Sequence, residues 1–227
     1  LAPAVGFQAL FATDGGHNNT AIGYNAGNAI TSGEKNVVMG GQAGESIVTG
    51  DSNVLLGYQA GQDLTGQYSV FIGKGAGANV TSADGNTMIG NNAGQASTTN
   101  TQNVFVGFQA GYASTSNENT FIGYNAGVNA TAGYNVVIGS AAANDMTTGD
   151  YNTIVGTTAG ANITGSQQNV LLGAYSGRML QASKRLIAIG YEAGYQATTG
   201  YQVAIGHSAL KNPTTATENV ALGNEAL

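Results

Sequence analysis

Chemistry needs reactive side chains that can meet, and this chain offers few. It holds two histidines, His17 and His207, far apart in the sequence, and no cysteine. No Ser-His-Asp or Cys-His set can be assembled from them. Glycan hydrolysis needs two carboxyls about 5–10 Å apart. Glu34 and Asp51 are spaced to become stacked neighbours in a repeating chain, whereas Asp84 and Asp150 fall at equivalent but non-adjacent positions. Solvated turn residues, which suit Asp and Asn backbone geometry, explain all four more simply. A carboxylate row also suits calcium, but the nonapeptide calcium-roll pattern with its recurring Asp is missing. No catalytic, cofactor-binding or metal-ligating residue is therefore assigned. The segment Gly177–Leu186 departs from the pattern around it and carries Arg178, Lys184 and Arg185, half of the six basic residues. It is the candidate loop for a ligand or partner, such as an anionic glycan or an adjoining module. N-glycosylation sequons begin at Asn18, Asn79, Asn129 and Asn162, the last three at one repeat position.

These residues are positioned by a repeat. An aliphatic-Gly pair recurs from Gly6 through Gly23, Gly40 and onward to Gly223, with nine spacings of 17 and four of 16. The consensus reads N-[TV]-x-[ILV]-G-[YF]-x-A-G, followed by four variable residues ending in Thr and a Gly-rich turn. Short β-branched runs bounded by Gly and Asn predict strands and turns. Glycine every few residues excludes helix, each costing about 1 kcal/mol against alanine. A unit of this size is one solenoid coil: a short strand, a tight bend, a second short stretch and another turn. Coils stacked at about 4.8 Å would extend over roughly 60 Å. Asn side chains would bond from coil to coil, and Gly would serve the corners. The recurring Thr invites an ice-binding reading, against which only one Thr per coil recurs, among neighbours of varied size. The array is expected to run over 1–227 as one domain, part of a longer or processed chain.

Composition excludes other classes. Glycine is 36 of 227 residues, but not every third, and proline is 2, so collagen is excluded. Without cysteine there is no disulfide scaffold or thiolate zinc site. A net charge of -6 with six basic residues disfavours nucleic acid. No apolar run is long enough to insert in a membrane as a helix.

Side chains alternate along a strand. If the aliphatic residue before the glycine points inward, the residue two before it points outward. That second column includes Leu55, Phe71, Met88, Phe105, Phe121, Val137, Ile154 and Leu171. A strand apolar on both faces is buried on both, so these residues are expected to form an assembly core between subunits. The fold expected is an all-β repeat solenoid, a β-roll or β-helix of about thirteen 16–17-residue coils, in an intertwined or side-by-side homotrimer.

The units NTAIGYNAG (19–27), NVLLGYQAG (53–61), NTFIGYNAG (119–127) and NVALGNEAL (219–227) resemble the head repeats of trimeric autotransporter adhesins. They are more similar still to the N-T-A-I-G-Y-x-A-L repeats of phage tail fibres and other surface fibres. The resemblance covers essentially the whole chain and implies a homotrimeric left-handed β-roll that extends and adheres. The adhesin unit is shorter, about 14 residues, and the family's neck and C-terminal anchor have no counterpart here. An extracellular, non-enzymatic fibre on a virion or cell surface is the resulting expectation, with self, a surface glycan or a host receptor as partner. Alternatives are a tailspike-like fibre that degrades its receptor glycan and a glycan-decorated extracellular filament.

Overall fold

The computed structural model describes residues 2–181, 183–197, 200–212 and 218–226. The chain forms two compact units, Leu1–Thr115 and Ser116–Leu227. The first holds β1 (Ala4–Val5), β2 (Thr20–Ile22), β3 (Val37–Met39), β4 (Val54–Leu56), β5 (Val70–Ile72), β6 (Thr87–Ile89) and β7 (Val104–Val106). The second holds β8 (Thr120–Ile122), β9 (Val136–Ile138), β10 (Thr153–Val155), β11 (Val170–Leu172), β12 (Ile187–Ile189), β13 (Val203–Ile205) and β14 (Val220–Leu222). Within each unit every strand pairs in parallel with the next, in register, so Ala21 lies beside Val38 and Phe121 beside Val137. Each unit is thus a β-solenoid, and its six steps at the usual strand spacing extend about 29 Å.

One strand per coil suffices because the rest of the coil is built from turns. In the coil of Gly23, Ala26 N–H bonds Gly23 O at 3.3 Å and Asn28 N–H bonds Asn25 O at 3.3 Å. The third residue of each turn has positive φ, Asn25 at 54° and Gly27 at 57°, the type II pattern that favours Gly or Asn there. Intervening N–H groups reach the next coil, as Gly27 does to Ala43 O at 3.0 Å and Ala29 to Glu45 O at 3.1 Å. Beyond the strands, among the described residues, the expected second stretch forms isolated bridges, Thr164 with Gln181 and Gln167 with Lys184, rather than a second strand.

The buried Asn column ties the stack together. Asn36 Oδ1 accepts from Asn53 N–H at 2.9 Å, while its Nδ2 donates to Gly50 O at 2.8 Å. Direct amide-to-amide bonds also occur, as from Asn169 Nδ2 to Asn152 Oδ1 at 2.9 Å. The ladder therefore runs chiefly between side chain and backbone. It satisfies buried groups that would each cost about 1–3 kcal/mol if left unpaired.

The direction of the strand faces is the reverse of the expectation. Leu55, Phe71, Met88, Phe105, Phe121, Val137, Ile154 and Leu171 are fully buried inside the single chain. They form the interior of the coils and are not a surface between subunits. The residues before the anchor glycines face solvent instead, with Ile22 39% and Ile138 37% exposed. Alternation fixes that the two columns oppose each other, not which one is inside. Volume decides that. The residue nine positions on shares the same interior and in several coils varies inversely: Ala21 goes with Ile30, Phe105 with Ser114, Phe121 with Ala130 and Val137 with Met146, all fully buried. In these coils the swell from Ala to Phe is offset nine residues on, as close packing requires, whereas Leu55 with Leu64 and Leu171 with Leu180 are large at both positions.

Candidate functional site

The turn carboxylates are structural. Asp51 Oδ1 accepts Glu34 N–H at 2.7 Å, Asp84 Oδ1 accepts Gln67 N–H at 2.9 Å, and Asp150 Oδ1 accepts Gly133 N–H at 3.0 Å. Each carboxylate caps the turn of the preceding coil. The Glu34 carboxylate lies 3.7 Å from Lys35 Nζ. Among the described residues no group of three or more His, Asp or Glu side chains gathers as a metal site. His17 lies in the first unit and His207 in the second.

The Thr column also has a place in the stack. Thr31 Oγ1 donates to Val48 O at 3.2 Å and Thr81 Oγ1 to Thr98 O at 3.0 Å, with Thr131 bonded likewise to Thr147 O. Thr198 and Thr214 of this column lie outside the described residues. Asn18, Asn79, Asn129 and Asn162 are all exposed, and Asn129 Nδ2 donates to Asp145 Oδ1 at 2.9 Å.

The Gly177–Leu186 segment keeps the coil register and is no protruding loop; its Ala182 lies outside the described residues. Gln167 bridges Lys184, and Leu186 takes the place of the column Asn. Leu186 N–H still bonds Asn169 Oδ1 at 2.8 Å, while its side chain is buried in the coil where Ala188 leaves room. The departure in sequence is thus a change of core filling.

The three cations of that segment have separate surroundings. Arg185 donates from Nε to Gln168 Oε1 at 2.9 Å and from Nη1 to Tyr201 OH at 3.0 Å, its guanidinium 5.3 Å from the Tyr201 ring centre. Lys184 is exposed. Arg178 lies among aromatics, 5.5 Å from the centre of Tyr175 and 6.0 Å from that of Tyr195, and its Nη1 donates to Tyr195 OH at 3.1 Å. Its Nε is buried without a hydrogen-bond partner.

Around Arg178 the equivalent positions of the following coils add further polar groups. Tyr191 meets Tyr175 edge-on at 5.6 Å and stacks on His207 at 5.2 Å. Glu192 pairs with Lys211 at 2.6 Å. The hydrogen bond from Lys211 holds the Glu192 carboxyl below the usual carboxylate range and raises the Lys211 ammonium above the usual lysine value. This aromatic and basic cluster was not legible as a unit, although the 17-residue step from Arg178 to Tyr195 is one repeat length. Elsewhere in the second unit Tyr134 stacks on Tyr151 at 4.9 Å. The Glu118 carboxylate, followed by Tyr151, raises the Tyr134 phenol above its ordinary value.

The second candidate surface is the outer side of each sheet. Across β2–β14 it presents Thr, Val or Ile three before the glycine and a large apolar residue directly before it, with no charged side chain in either column. No protein-family model, curated protein or solved structure matches the chain.

Proposed function

We propose that the protein is a non-catalytic structural and adhesive part of an extracellular fibre, on a virion or a cell surface. In this reading it assembles as a homotrimer and attaches to a surface glycan or host receptor. The observation that carries it is the uncharged outer side of the sheet, for example Ile122 and Ile138 beside Val136 in the second unit, each more than a third exposed. A ladder of aliphatic residues repeated coil after coil is the kind of contiguous apolar surface that marks an interaction site. Copies of the same face provide a matching surface at the same 4.8 Å repeat. Light scattering on the purified chain tests this. The expected result is a three-chain mass that falls to one chain in Ile138→Lys, with the strand signal in circular dichroism unchanged. A wild type of one-chain mass would overturn the assembly.

A further inference from the structure

Charge is distributed very unevenly along this acidic chain. Between Arg178 and Lys211 lie four of its six Lys and Arg residues and a single acidic one, Glu192, whereas the chain as a whole carries -6. Within that stretch Arg178 uses only Nη1 of its five N–H donors as a hydrogen-bond donor. Its Nε is buried and unpaired and so out of reach from solvent, which leaves the Nη pair of this half-buried side chain as the edge suited to a planar oxyanion. The phenols of Tyr175 and Tyr195 flank it, and exposed Gln196 lies beside Tyr195 in sequence. Lys211 sits two coils beyond Arg178 at the equivalent position, about 10 Å along the stack.

We propose that this cluster is a binding site for an oxyanion-bearing saccharide, its acidic group held by Arg178 and its hydroxyls by the surrounding phenols and amide. The inference rests on the adhesive half of the proposed function and gives it a residue-level site. The oxyanion is a uronate carboxylate or a sulfate ester. A nucleic acid fits less well, because a long polyanion would also run over the acidic remainder of the chain.

Calorimetric titration of the full chain with trigalacturonate, a chondroitin sulfate hexasaccharide, maltotriose and a dT hexamer tests the site. Binding of trigalacturonate identifies the carboxylate source, and binding of the sulfated sugar alone identifies the sulfate source. Either should weaken about tenfold or more in Arg178→Gln, the size of a lost charge-assisted bond, and stay unchanged in Lys35→Gln. Thermal melts show whether the variants remain folded. Maltotriose or the dT hexamer binding as tightly as the acidic sugars, no binding of either acidic sugar, or an unaffected Arg178→Gln would overturn the proposal. Light scattering on the same samples keeps the two readings apart: a one-chain mass with Arg178-dependent binding removes the trimer alone, and a three-chain mass without binding removes the site alone.

Discussion

Gly123 and Gly133 lie ten residues apart, yet a methyl group added to each meets different surroundings. Gly123 has φ of 139°, and its added carbon would run into the backbone of Gly139 in the next coil. Gly133 has no such φ, and its nearest neighbour would be Asn117 O at 3.0 Å. Gly123→Val should cost about 3 kcal/mol or more, since positive φ and backbone overlap act together. Gly133→Ala should stay within about 1 kcal/mol. Thermal unfolding of the two variants checks this, and equal losses would mean the anchor glycine has no special role. The anchor column was legible from sequence because only glycine tolerates such a site in every coil. The Asp column was not, since the backbone N–H that each Asp accepts belongs to another coil.

Within one coil, the strand and the turn that follows are coupled through shared interior volume. A carbon added to Gly127, at φ 58°, would sit 2.5 Å from the Phe121 ring, whereas Ala143 is accommodated at the equivalent place beside the smaller Val137. The pairing of Val137 with Met146 supplies a working alternative to Phe121 with Ala130. Phe121→Val leaves a cavity and Ala130→Met overfills one, each expected to cost about 1–3 kcal/mol. Their combination should cost clearly less than the sum, a coupling that a double-mutant cycle in denaturant measures. Strict additivity would show that the two positions do not compensate. The strand column was visible in the sequence, whereas the position nine residues on reads only as variable until the chain is closed into a coil. A strand apolar on both sides carries no local signal of which side is inside, so the face assignment failed while the strands themselves were found.

For the molecule as a whole, the fold rests on the inner column, whereas the proposed assembly would use the outer one. Phe121→Asp puts an unpaired carboxylate inside a coil and should abolish the cooperative melt whatever the oligomeric state. Ile138→Lys, on the outer side, should leave the coil intact. A Phe121→Asp protein that keeps its melting temperature would contradict the interior placement of that column. The repeat, its length and the all-β class were legible because thirteen near-equal spacings repeat one local pattern. The Arg178 cluster was not, because its members come from successive coils and gain meaning only through stacking. The three cations singled out together in sequence have separate surroundings in the fold.

Because the interior of a coil is filled mainly by its own strand residue and the residue nine positions on, as with Phe121 and Ala130 or Val137 and Met146, a coil carries most of its packing solution with it. Unequal crossing-over between repeats at the DNA level would add or remove 16 or 17 residues at a time, and the resulting chain would still close every coil it retains. Point substitution in the interior has no such freedom, since one change strands its counterpart nine residues away. Lineages of such a chain should therefore differ readily in the number of repeats and only reluctantly within one.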